Sequence, residues 1–270
     1  VKIRSRILAG ALAFGFLSWA SPASAVSLRI NVPKVELELA PGESYSGEIV
    51  CENPTADELK LKIYQEDWTY KGTGTGEKEF TPVGSTPSSS GAWVTFAPAE
   101  ETLMPYGRVT ARYTVNVPKD TTARGARYSV LFFETIVGSI KDEEGANVLV
   151  AGRVGALFFI RVKGTVEHGG RIRGVEVVPP RGNSPLEIRT DFENTGNVDI
   201  TLEGNFLVMD ADANVAARGD LKRLYTMPGG SGSTKTEWVG RLSPGNYSLL
   251  LTYDLGMGQT LVEEKTLVVE

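Results

Sequence analysis

The chain is punctuated by short runs in which every second residue is apolar. Leu59, Leu61 and Ile63 alternate with Lys60, Lys62 and Tyr64, and Ala111, Tyr113, Val115 and Val117 alternate with Arg112, Thr114 and Asn116. A period of two places successive side chains on opposite faces of an extended strand, so each run predicts a strand half buried against a core. Turn residues fall between the runs: Pro41-Gly42, Asn53-Pro54, Gly196-Asn197, Pro228-Gly229 and Pro244-Gly245. Such pairs end strands and reverse the chain. No stretch keeps a 3.6-residue period through three turns, and short strands without crossover helices predict an all-β fold of antiparallel sandwiches.

The pattern repeats. CENPTADELKLKI, from Cys51, matches FENTGNVDITLEG, from Phe192, with Leu59 falling on Ile200 and Leu61 on Leu202. Leu103-Met104-Pro105 then corresponds to Thr226-Met227-Pro228, and GARYSVLFF from Gly125 to PGNYSLLLT from Pro244. The order and parity predict two related immunoglobulin-like β-sandwiches in tandem, over residues 26–165 and 172–270, joined by a linker at 166–171. Residues 1–25 stand apart from both. Lys2, Arg4 and Arg6 precede an apolar stretch from Ile7 to Ala20 that closes on Ala23-Ser24-Ala25, the pattern of a secretory signal peptide. The mature protein is expected in the periplasm, or secreted to the cell surface.

One stretch departs from alternation. From Val154 to Ile160 the chain is apolar on both faces, with Val154, Ala156, Phe158 and Ile160 on one and Leu157 and Phe159 on the other. Leaving Leu157 and Phe159 in water forgoes roughly 1.5–3 kcal/mol each, so something must cover them. Either the second sandwich or the long loop before Trp93 packs there, or a partner protein pairs with the strand edge.

Composition narrows the chemistry. Removing Lys2, Arg4 and Arg6 leaves 25 basic residues against 33 acidic ones, a formal charge of −8, with no basic run interleaved with aromatics. That balance argues against a nucleic-acid partner. No segment after the leader is long and apolar enough to span a bilayer. One Cys and one His preclude an internal disulfide and a two-histidine metal site, so no metal or other cofactor is expected. His168 lies in the linker, where a solvated imidazole is expected, and nothing else assembles a catalytic set, so no enzymatic activity is expected. Cys51 is expected inside the first core. Asp210, Asp212 and Asn214 carry calcium-loop spacing, but Val215 and Leu221 stand where that loop needs Gly and Glu, so a hairpin turn is expected. Gly72, Gly74 and Gly76 open a Gly- and Ser-rich stretch to Gly91 that reads as a mobile loop.

VELELAPGESYSGEIVCENPTADELKLKIYQEDW, then GAWVTFAPAEETLMPYGRVTARYTVNVPKDTTARGARYSVLFFE, then NVLVAGRVGALFFIRVKG resembles the N-terminal domain of periplasmic PapD-like pilus chaperones. The two-module layout is also similar to that of bacterial surface proteins such as the WxL-interacting proteins. The chaperone resemblance implies donation of an apolar strand to an unfinished pilin subunit, with two basic residues anchoring the subunit's C-terminal carboxylate. Lys34 occupies the place of the first of these, and the second is missing or replaced by Arg153. The expected partner site is thus Lys34, Arg153, Val154, Leu157 and Phe159, and the expected partner a protein subunit of a surface assembly. An adhesive surface module that binds glycan or matrix through its loops is the other expectation; it would show a covered strand edge and an ordered loop at 71–91 with aromatic or acidic side chains.

Overall fold

The computed structural model describes residues 28–141 and 145–270; the leader read at 1–25 and the acidic triplet at 142–144 lie outside the described residues. The first sandwich contains β1 (Arg29–Ile30), β2 (Lys34–Leu39), β3 (Ser44–Glu52), β4 (Leu59–Tyr70), β5 (Lys78–Thr81), β6 (Val94–Ala97), β7 (Glu100–Leu103), β8 (Arg108–Asn116), β9 (Ala126–Lys141) and β10 (Asn147–Val162). One sheet has the order β1-β3-β8-β6; the other has β2-β10-β9-β4-β5, with β7 also on β4. The second sandwich contains β11 (Gly170–Val178), β12 (Leu186–Asn194), β13 (Ile200–Met209), β14 (Val215–Asp220), β15 (Leu224–Thr226), β16 (Ser231–Trp238), β17 (Gly245–Gly256) and β18 (Gln259–Val269). Its sheets run β11-β12-β16 and β14-β13-β17-β18, with β15 on β13.

Alternation sets the cores. Leu59, Leu61 and Ile63 of β4 and Ala111, Tyr113 and Val115 of β8 all turn into the first core, beside Ile49, Phe133, Phe158 and Ile160. Cys51 joins them with no exposed surface, and burial pushes its thiol up to about 12. Leu186, Ile188, Phe206, Leu249 and Leu251 build the second core. The repeated sequence motif is a repeated structure. The Asn53 side-chain amide donates to the Asp57 carbonyl at 2.7 Å while its carbonyl accepts from Thr55 N–H at 3.0 Å. Asn194 does the same with Val198 and Gly196, at 2.8 and 2.9 Å. Both asparagines are almost wholly buried, so each turn is closed by an amide whose polar atoms are satisfied internally.

The expected pair of antiparallel sandwiches is present, with one exception and one correction. In the first sandwich β2 runs parallel to β10, from Leu157 opposite Lys34 to Val162 opposite Leu39. The chain reaches that position by changing sheets: Arg29 and Ile30 pair with β3 in the facing sheet, and the chain crosses over at Val32 and Pro33 before β2 begins. Proline cannot donate to a ladder and restricts the residue before it, which suits a crossing point. Residues 71–91, read as a mobile loop, are instead tied down. The wholly buried Asp67 carboxylate accepts from Thr86 N–H and hydroxyl at 3.1 and 3.3 Å and from the Ser89 hydroxyl at 2.5 Å. Phe80, the stretch's aromatic residue before the turn at Trp93, is partly buried and meets the Phe132 ring edge-on at 4.9 Å.

Candidate functional site

The apolar excess of β10 is divided between two environments. Ala156, Phe158 and Ile160 face the first core, and Val154 packs against its margin. On the opposite face Phe159 is 3% exposed, its ring 5.0 Å from Trp68 and 5.7 Å from Tyr128, both edge-on. Those three belong to a separate apolar cluster with Ala126, Val130 and Phe132, closed by Val198 and Met227 of the second sandwich and Val166 of the connection. Leu157 is half-buried at its margin, and its N–H donates to the Pro33 carbonyl at 3.0 Å. The second sandwich therefore covers the face that Leu157 and Phe159 present, and β2 occupies their backbone edge. Neither residue is open to a partner strand in this structure.

A polar ladder runs along the same seam. The Tyr128 hydroxyl donates to the Asp199 carboxylate at 3.0 Å and accepts from Asp199 N–H at 2.7 Å, tying β9 to the second sandwich. Burial holds that phenol far above its ordinary range, with the Asp199 charge adding to the effect. Arg161 lies 4.0 Å from Asp199 and 3.7 Å from Glu36, and Glu36 in turn meets the Lys34 ammonium at 2.9 Å. The Lys34 ammonium also stands 4.3 Å above the Phe159 ring. Lys34 and Arg153 are not brought together. Lys34 stays with Glu36 and Phe159, whereas the Arg153 guanidinium lies over Phe132 at 4.0 Å, donating to the Tyr64 hydroxyl at 3.0 Å and to Glu66 at 3.3 Å. The cation that shares a carboxylate with Lys34 is Arg161, which the sequence reading passed over.

The open feature lies farther out along β10. Its pairing with β9 runs from Asn147 opposite Lys141 to Arg161 opposite Ala126, but its pairing with β2 begins only at Leu157. Among the described residues no strand pairs with the other edge of residues 147–156, which spans about 30 Å. The register shift against β9 places Gly138 opposite Val150 and Ile136 opposite Ala151, so the extra residue is on β9 and β10 keeps its phase. Val148, Val150 and Val154 therefore continue the stripe of Ala156, Phe158 and Ile160 beyond the end of the sandwich. Val148 is 43% exposed and Val150 half-buried, with Leu149 at 64% and Ile136 at 57% on neighbouring positions. A long, bare edge with an apolar stripe is a template for strand addition. The signal for it was Pro33, which stops β2 six residues long beside a sixteen-residue β10.

The remaining motifs are local. Asp210 closes a hairpin, its carboxylate accepting from Asp212 and Asn214 N–H at 3.0 and 2.8 Å. Among the described residues no helix is long and apolar enough to cross a membrane.

Solved structures similar to the chain include chaperones of fimbriae. A chain of the chaperone–tip adhesin complex of CFA/I fimbriae biogenesis is 14% identical with a TM-score of 0.48, the match covering 87% of this chain and 98% of that one. The class 5 fimbriae chaperone CfaA is 14% identical with a TM-score of 0.47, over 88% of this chain and 99% of its own. A chain of the CsuC–CsuE chaperone and tip subunit pre-assembly complex, from archaic chaperone-usher Csu pili of Acinetobacter baumannii, is 10% identical with a TM-score of 0.41, over 88% and 98%. No protein-family model and no curated protein sequence matches the chain.

Proposed function

We propose that this protein is a periplasmic, non-enzymatic assembly factor of the fimbrial-chaperone kind, which holds an incomplete β-subunit by lending it the free edge of β10. The observation that carries this reading is the unpaired edge at residues 147–156, bearing Val148, Val150 and Val154 on the face that continues the first core. A subunit lacking one strand leaves a row of unpaired backbone groups above an apolar groove. The β10 edge supplies main-chain hydrogen bonds, and alternate valines fill the groove, each burial contributing roughly 1.5–3 kcal/mol. The resemblance to PapD-like chaperones supports the same partner class, as does the description of CsuC–CsuE as a chaperone with a tip subunit. In this reading the subunit's terminal carboxylate is held by Lys34 and Arg161, where Glu36 lies between them in the free protein.

Co-purification from the native cell envelope tests it. Val150→Asp places a charge in the groove and abolishes recovery of the subunit, whereas Leu149→Asp, on the opposite face, leaves recovery intact. Equal recovery with both variants would remove strand donation from the account.

A further inference from the structure

The Gly72-Thr73-Gly74-Thr75-Gly76 run has no part in strand donation, yet here the first sandwich touches the second at a place remote in sequence from the connection between them. The turn leaves β4 at Tyr70 and enters β5 at Lys78, closed by Lys71 N–H to the Glu77 carbonyl at 2.8 Å and by the Lys71 ammonium on the Glu77 carboxylate at 2.5 Å. Its tip rests on β15 and β16. The Tyr225 amide donates to the Gly74 carbonyl at 3.0 Å, and the rings of Tyr70 and Tyr225 lie 5.5 Å apart. Backbone meets backbone at this point. A Cβ at Gly74 would stand 2.8 Å from the Ser233 carbonyl oxygen, and one at Gly232 would stand 2.9 Å from Gly74 Cα. Gly74 also has φ of +75°, which side-chain-bearing residues adopt at a cost. Bare backbone on both sides of one contact marks a fitted joint rather than a loop lying on a surface.

We infer that residues 71–77 form a clasp, an attachment beyond the Tyr128–Asp199 seam that, together with that seam and the connection at 163–169, fixes the orientation of the two sandwiches. Two domains move relative to each other by default unless a large interface stops them. A further attachment, on β15 and β16, removes the rocking about the seam that the other contacts leave. The clasp grows from the end of β4 that carries Trp68 and Tyr70, both in the apolar cluster of the seam, so releasing it loosens the seam.

Gly74→Ala in the full chain is the test, with Gly72→Ala as control because a Cβ there meets nothing within 4 Å. The clasp predicts that Gly74→Ala speeds exchange of the Tyr225 amide by about tenfold and broadens the small-angle scattering profile, while Gly72→Ala does neither. Gly232→Ala, approaching the same contact from the second sandwich, gives the same loss, and the double variant adds little to it. Amides of Leu131 and Leu251, one in each core, keep their protection in every variant. A Tyr225 amide as protected in Gly74→Ala as in the parent overturns the clasp. So does a loss of protection at Leu131 in parallel with Tyr225, which would make the turn a support of the first sandwich alone.

Discussion

Phe159→Ala separates the two jobs of β10. The side chain is 3% exposed, contacts Trp68 and Tyr128 edge-on at 5.0 and 5.7 Å, and carries the Lys34 ammonium over its ring at 4.3 Å. Truncating a buried Phe to Ala costs about 3–5 kcal/mol, from lost transfer energy and the cavity left behind. The two aromatic contacts, at roughly 0.5–1.5 kcal/mol each, place the expectation in the upper part of that range. Collapse of the second sandwich into the gap would pull it toward the lower part. Against a typical total of about 5–15 kcal/mol, the loss is large. It corresponds to a fall in melting temperature on the order of 10 °C for a chain of this size. Urea unfolding followed by tryptophan fluorescence reads it, with calorimetry to show whether the two sandwiches now unfold apart. A cost below about 1 kcal/mol, the range of surface substitutions, would mean that the face is open in solution and would refute the covered seam.

Three further outcomes follow from the same geometry. Tyr128→Phe removes the hydroxyl that bridges to Asp199, leaving that N–H and carboxylate without their partner at a cost of about 1–3 kcal/mol; unchanged urea stability would show that the bridge does not hold the sandwiches together. Burial raises Cys51, Tyr70 and Tyr113 to about 12, and raises Tyr128 and Tyr253 as well. In the unfolded chain these groups lose their protons first, the thiol near 9.0 and the phenols near 10.0, so their contribution is full below those values and is lost as the pH climbs toward about 12. From neutral pH these groups leave urea midpoints flat up to about pH 9 and lower them steadily above it, and a flat profile through that upper window would contradict the burial of these side chains. Glu36→Gln frees Lys34 and Arg161 from their shared carboxylate and tightens subunit binding at low salt; weaker binding would show that Glu36 is itself a contact.

Much of the fold was legible because strand faces are written in a period of two. Leu59, Leu61 and Ile63 turn inward as their spacing requires, and the matching motifs at Asn53 and Asn194 prove to be the same amide-closed turn. What the alternation does not record is which strand lies beside which. Val154 to Ile160 announces two buried faces, and both are buried, but the bare edge depends on where β2 ends, and β2 comes from a region more than a hundred residues away. Arg161 was missed for the same reason: its neighbour Glu36 is on β2 and Asp199 is in the second sandwich. The glycines at 72, 74 and 76 read as freedom in the sequence, yet at Gly74 the missing side chain is what lets Ser233 approach.

Amide exchange along β10 tests the central claim most directly. The Leu157 N–H faces β2, so the amides of Ala151, Arg153 and Gly155 face the same, unpaired side, while those of Gly152, Val154 and Ala156 face β9. In the isolated protein the first three exchange fast and the second three slowly; with a bound subunit the first three become protected as well. Protection of Ala151, Arg153 and Gly155 before any subunit is added, or its absence in the complex, would contradict strand donation by this edge.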